Sequence, residues 1–349
     1  MKADYTKYTL QFKRPSGTSR GVLRTKDSWF IRITDPEQPG KVGWGECGVL
    51  AGLSVDDPAT YEEKLAEACI RIGEGESLLE DLVDYPSIRF GVEMALRSWS
   101  KSDSFQLFDT PFSRGEAGQW INGLIWMGEP EFMHRQIEEK LAAGFRCIKL
   151  KIGAIDFQKE LSLLRGIRER FPADVIELRV DANGAFAPEE AMHKLEQLAQ
   201  FDLHSIEQPI RQGQWQEMAK LCANTPLPIA LDEELIGVHD PARQAALIQT
   251  IQPQYLILKP SLLGGWAASQ RWIDLAEANG AGWWVTSALE SNIGLNAIAQ
   301  WTATLGNPMP QGLGTGQLYT NNIPSPLEVR GEELWYRSEK DWDAGFLFE

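Results

Sequence analysis

The sequence predicts an α/β protein, a (β/α)8-type barrel preceded by a smaller α+β unit, and three observations carry that prediction. From Gln119 onward, short apolar runs end at intervals of 25 to 30 residues, each followed by a helix-length amphipathic stretch. Such a period is one strand, one helix and two short loops. Eight units fit within roughly 200 residues, and parallel strands joined by helical crossovers close on themselves at this number. No GxGxxG follows any early strand, which disfavours a doubly wound open sheet.

Element by element, alternating apolar positions between residues 5 and 16 and in SWFIRI at 28 to 33 predict strands, with a Gly-rich GWGE at 43 to 46. Helical spacing follows at Ala59 to Ile72 and Ile88 to Ser98. The later runs are WINGLIW ending at Trp126, FRCIKLK at Lys151, VIELRVD at Asp181, HSIE at Glu207, PIALD at Asp232, YLILK at Lys259 and WWVTS at Ser287. A weak GLGT near Leu313 closes the series, with no full helix expected after it. The expected division is an α+β unit over 1–115, a barrel over 116–321, and a segment over 322–349.

Composition narrows the function. The 349 residues hold 34 Lys and Arg against 49 Asp and Glu, a net charge of −15, so nucleic acid and anionic membranes are not expected partners. No apolar run nears the roughly 20 residues of a membrane span, and the first residues lack the apolar core of a signal peptide. Cys47, Cys69, Cys147 and Cys222 show no CxxC spacing. A soluble cytoplasmic protein with reduced thiols is the expectation.

Parallel barrels collect their chemistry where strands end. Here five consecutive strands end in charge: Lys149 and Lys151, then Asp181, Glu207, Asp232 and Lys259. Any one of these could be a solvated turn or a helix cap; five in order weigh against that account. Three converging carboxylates repel one another unless a cation intervenes. All three offer hard oxygens and no Cys or His ends these strands, so Mg2+ is expected rather than zinc. Lys149 and Lys151, at i and i+2, point to one face, and crowding near a divalent cation should lower their pKa values; Arg179 should share the inward direction and add to the effect. A lysine near neutrality is a usable general base. Metal and lysines together indicate proton abstraction α to a carboxylate, followed by epimerisation or by loss of a β-group.

These residues resemble the enolase superfamily, in particular its muconate-lactonising subgroup. The matching pieces are KxK at 149 to 151, DAN at 181 to 183, EQP at 207 to 209, DE at 232 to 233 and LKPSLLGG at 258 to 265, with GWGE and FGVEMAL at 90 to 96 in the N-terminal part. The resemblance covers almost the whole chain. It implies an α+β capping domain, a modified (β/α)7β barrel and a C-terminal segment that returns to the cap. Within the subgroup, SALESNIGL at 287 to 295, INGLIWMG at 121 to 128 and VLAGLS at 49 to 54 are similar to the o-succinylbenzoate synthase family, which dehydrates a succinyl-bearing cyclohexadiene carboxylate in menaquinone biosynthesis. The Asp-x-Asp that dipeptide epimerases tend to carry in the segment matching 287 to 295 is absent there. Epimerisation of dipeptides or racemisation of N-acylamino acids nevertheless stays open as an alternative, since it uses the same half-reaction.

Carried over, the resemblance makes Lys151 the acid/base and Lys259 an electrostatic stabiliser or second acid/base on the other face. Asp181, Glu207 and Asp232 would hold Mg2+, with Mn2+ as a possible substitute. Lys149 would tune Lys151, and Asn183 would support it. Ser287 and Gly312 would lie near the succinyl chain. Loops at Ser16 to Gly21 and Val49 to Ser54 could close over the mouth, with Gly17 and Gly21 as flexible points and Arg20 either meeting a carboxylate or remaining solvated. Glu290 is equally a helix cap or a contact. None of His134, His193, His204 and His239 stands at a strand end, so they are expected to be structural or solvated. Of Trp283 and Trp284 at most one should face the site.

Overall fold

The structure, a computed structural model, describes residues 1–18 and 21–349. An antiparallel meander opens the chain: β1 (Lys2–Thr18), β2 (Gly21–Thr34) and β3 (Val42–Cys47). Against one face pack α1 (Tyr61–Glu74) and α2 (Pro86–Trp99), whose buried Leu65, Ile72, Ile88 and Val92 meet Ile31 and Ile33 in a core of their own. Contact with α2 is close because β3 presents glycine. A Cβ on Gly45 would stand 2.1 Å from the Gly91 carbonyl oxygen, so the pair of glycines sets the approach of strand to helix.

The predicted first barrel run divides. Its start forms β4 (Gln119–Trp120), and only β5 (Gly123–Ile125) joins the barrel. The split arises because β4 is taken by a C-terminal hairpin, β12 (Leu327–Arg330) and β13 (Glu333–Tyr336), in a separate antiparallel sheet. From β5 the strands run parallel in chain order through β6 (Cys147–Lys151), β7 (Glu177–Asp181), β8 (Ser205–Glu207), β9 (Ile229–Leu231), β10 (Tyr255–Leu258) and β11 (Gly282–Val285). The crossovers are α3 (Pro130–Ala142), α4 (Phe157–Arg170), α5 (Pro188–Ala199), α6 (Trp215–Asn224), α7 (Pro241–Ile251), and the pair α8 (Pro260–Leu263) and α9 (Trp266–Ala278). Helix α10 (Asn292–Leu305) follows β11. Local chemistry starts these helices: Pro occupies the first turn of α3, α5 and α7, and the Asp156 and Asp240 carboxylates accept from the first free N–H groups of α4 and α7.

The eighth position holds no strand. Gln311 and Gly312 join the two open edges mostly by main chain: Asn122 N donates to Gln311 O (2.9 Å), Gly312 N to Val285 O (2.8 Å) and Ser287 N to Gly312 O (3.0 Å), while the Gln311 side-chain Oε1 accepts from Val285 N (2.7 Å). A 3-10 turn at Gly314–Gln317 then replaces the missing helix. Among the described residues no helix is long and apolar enough to cross a membrane. The last turn, Gly345–Phe348, packs on the meander, with Phe346 against Tyr8 and Phe348 against Trp44.

Candidate active site

Parallel register places the charged strand ends on one level. Lys151 lies beside Asp181 and Asp181 beside Glu207, while Asp232 follows β9 directly. All three carboxylates are buried, and one oxygen from each lies within 4.8 Å of the others. Asp232 makes no side-chain cap, and α5 begins only after Ala187, so neither aspartate is spent on starting a helix. Three hard, anionic oxygens at this separation fit a divalent cation of the Mg2+ or Ca2+ type.

The lysines surround the triad. Lys149 Nζ donates to both Glu207 oxygens (2.9 and 2.7 Å) and lies 3.2 Å from Asp181 Oδ2. Lys151 Nζ donates to Asp181 Oδ2 (2.6 Å) and Asn183 Oδ1 (2.9 Å), and Lys259 Nζ pairs with Asp232. Their proton affinities diverge. Burial lowers that of Lys151, and its neighbours Lys149 and Lys259 push the same way against Asp181. Burial opposes charge on Lys149 as well, yet Glu207 and Asp181 outweigh it and raise its pKa, contrary to the expected lowering. Lys259 is likewise raised by Asp232 and Glu233 over the opposing effect of burial. Burial pushes Glu207 up to about 7, whereas the three lysines hold Asp181 far below the usual carboxylate range despite its burial.

Two connecting residues organise this level. Asn183, at φ +46°, donates from its amide to Glu233 Oε1 (2.9 Å) while accepting from Lys151. Gln208, at φ +37°, was not singled out from sequence. Its Oε1 accepts from Asp232 N (3.2 Å) and Glu234 N (3.3 Å), and its Nε2 donates to Glu234 (3.1 Å) and Ile210 O (3.0 Å). Its place directly after the strand-end carboxylate Glu207 in EQP was the available signal.

A cavity of about 320 Å3 opens above the lysines. Ser287, Gly312 and Asn183 line it, as do Leu50 to Leu53 from the cap and Gly21 to Leu23. Asn122, Leu124 and Trp126 also line it and were missed. Leu124 is in register with Lys149, so alternate residues from Asn122 to Trp126 share its inward face. Ser287 Oγ lies 2.6 Å from Thr315 Oγ1, and Gly312 is required, because a Cβ there would stand 2.4 Å from Thr286 Oγ1.

Other expected residues lie elsewhere. Arg179 does point inward, but one layer below the triad, in register with Lys149. Its guanidinium reaches the barrel floor, donating to Glu177 (2.7 Å) and Pro310 O (2.9 Å) and stacking on Trp284 at 4.3 Å, so it neither tunes Lys151 nor lines the cavity. Arg20 lies outside the described residues. Ser16 and Gly17 are strand residues rather than a loop, paired with Leu23 and Val22. Gly17 serves close approach, since a Cβ would meet the Met127 carbonyl oxygen at 2.6 Å. Neither Trp283 nor Trp284 lines the cavity. Ser291, not Glu290, caps α10 with its side chain; Glu290 accepts instead from Ala288 N (2.7 Å) and from Ser261 Oγ.

Residues 133–337 match the enolase C-terminal domain-like family. The chain is 51% identical to the o-succinylbenzoate synthase of Desulfotalea psychrophila (strain LSv54), over 95% of this chain and 98% of that one. It is 27% identical to an N-succinylamino acid racemase of Amycolatopsis sp, over 92% and 88%. The crystal structure of MenC from D. psychrophila LSv54 superimposes with a TM-score of 0.84 at 46% identity, covering 96% of this chain and 99% of that one. With a family match over more than half of its length and a relative sharing half of its residues along nearly all of it, the chain belongs to the enolase superfamily.

Proposed function

We propose that the protein is an o-succinylbenzoate synthase, a hydro-lyase that removes water from a succinyl-bearing hydroxycyclohexadiene carboxylate. The observation that carries this reading is the 51% identity to a synthase along nearly the whole chain; the lysines on either side of a buried carboxylate triad suit its chemistry. Asp181, Glu207 and Asp232 would hold Mg2+, or Mn2+ in its place. Bound there, the cation would draw off negative charge as it builds on the substrate carboxylate.

The chain's own residues do the rest. Lys151, its ammonium disfavoured by burial, accepts the α-proton at Nζ, and the electron pair left behind moves into the carboxylate. The carbon–oxygen bond to the β-hydroxyl then breaks on the same face, and Lys151 returns the proton so that water leaves. Lys259, kept cationic by Asp232 and Glu233, stands on the far side and stabilises the charge. Lys149 holds Glu207, and Asn183 fixes the Lys151 ammonium. Ser287 and Gly312 form the wall beside the succinyl chain, and the cap residues Leu50 to Leu53 exclude water. The division 1–115 with 322–349 as cap and 116–321 as barrel, a cytoplasmic location, a role in menaquinone biosynthesis and a small carboxylate as substrate, with neither nucleic acid nor membrane as a partner, complete the reading.

Purified protein supplied with Mg2+ and the cyclohexadiene substrate should release o-succinylbenzoate. Absence of dehydration together with epimerisation of a dipeptide would overturn the assignment. A second activity, racemisation of N-succinylamino acids, is favoured by the two lysines on opposite sides and by the racemase relative. Exchange of the α-proton with deuterated solvent tests it.

A further inference from the structure

The barrel-side cavity wall at Ser287 to Leu289 contains a leucine in a conformation that side chains rarely enter. Leu289 has φ +63°. Such a residue persists only when its surroundings hold it. Tyr319 donates to Leu289 O (2.7 Å), and Glu290 accepts from Ala288 N. A further hold comes from the cap. Glu46 of β3 accepts from Ser291 N (2.8 Å), Ser291 Oγ (2.5 Å) and Gly294 N (2.8 Å), so a carboxylate from the meander sits on the first turn of α10. Its fourth donor is Ser28 Oγ (2.9 Å) on β2, which in turn accepts from Lys26 Nζ (3.0 Å). Glu46, Ser28, Glu290 and Ser291 are wholly buried.

Lys26 lies on the same strand as Gly21 to Leu23, which line the cavity from the cap side. One buried chain, Lys26 to Ser28 to Glu46 to Ser291, thus links two walls of the cavity. The lysines of the mouth do not take part: Lys151 and Lys259 are held by Asp181, Asn183 and Asp232. We propose that Glu46 is a positioning residue for substrate fit: without touching substrate, it fixes the backbone of Ser287–Ser291 from the cap and so sets the shape of the wall against which the substrate's side chain rests. The proposal rests on the synthase reading for its kinetic part only.

Two measurements on the full chain test it. In the Glu46→Gln variant, amide hydrogen exchange over residues 287 to 294 should accelerate by about tenfold or more while that of β6 and β7 stays unchanged. In dehydration assays, KM should rise by about tenfold with kcat within about threefold, the pattern of lost uniform binding. Ser28→Ala, which removes a single donor, should move both readouts in the same direction by less, and it decides the question should Glu46→Gln fail to fold. Unchanged exchange in 287 to 294, or a lower melting point with KM unmoved, would make Glu46 a helix cap only and overturn the proposal. A wild type without dehydration would overturn the functional reading instead, and the exchange comparison would still decide whether Glu46 holds the wall.

Discussion

Two lysines separated by one leucine carry opposite shifts, and the difference lies in their partners. Lys149 reaches two carboxylates within 3.2 Å, whereas Lys151 reaches one and shares the rest of its surroundings with an amide. A general base must be neutral, so kcat/KM should rise with pH through the depressed Lys151 value and fall below it. Lys149→Met removes a cation that lowers that value, and the acid limb of the profile should then move to higher pH. Lys151→Ala should cost at least about 10³-fold in turnover, while titration calorimetry still records Mg2+ binding. Away from the mouth, burial lifts Asp56 to about 6, with Ser87 N and Oγ donating to it (3.1 and 2.7 Å). Its folded value lies above its unfolded one, so the folded state holds the proton more tightly and stability is lost as pH climbs from about 4 to about 6. Asp56→Asn should therefore stabilise the protein by roughly 2–3 kcal/mol at pH 7.5, a gain that fades toward pH 4 in thermal melts. The acidic triad and the three lysines were legible in the sequence because a strand end in a barrel has only one place to go. Arg179 was not, because alternation along a strand gives direction and not height along the barrel axis.

Among elements, the eighth stave shows how little sequence a structural role can need. Gln311 and Gly312 close the barrel through main-chain groups and the Gln311 side-chain amide, which leave no apolar pattern, and only the weak GLGT hinted at them. What the position does require is the absence of a Cβ beside Thr286. Gly312→Ala should destabilise the protein by about 1–3 kcal/mol and reduce activity through Ser287, and Thr286→Ala in the same chain should restore part of both, as denaturant melts and assays would record. The division of WINGLIW was equally hidden. β4 and β5 read as one apolar run, and only a hairpin roughly 200 residues later takes its first part away. Glycine at 17 was visible as a residue but not as a purpose, since flexibility and close approach leave the same letter.

For the molecule as a whole, the excess of 15 negative charges hides a charge-paired cluster at the barrel mouth. Three lysines face three carboxylates at the mouth, so a bound divalent cation turns that region positive while the outer surface stays acidic. Mg2+ at a hundred times its dissociation constant should raise unfolding stability by about 2.7 kcal/mol, and chelation should lower the melting temperature again. The barrel class was legible from its period because each unit repeats the same compromise between one strand and one helix. The meeting of cap and C-terminus was not, as it depends on pairs far apart in the chain. That meeting carries a consequence for synthesis. Phe348 covers Trp44 and stacks beneath Arg32, and Phe346 covers Tyr8. These aromatic covers leave the ribosome roughly 300 residues after the surfaces they shield, so the meander is finished late, and a nascent chain would have Trp44 covered by Phe105 on one side but still open on the side that Phe348 later takes.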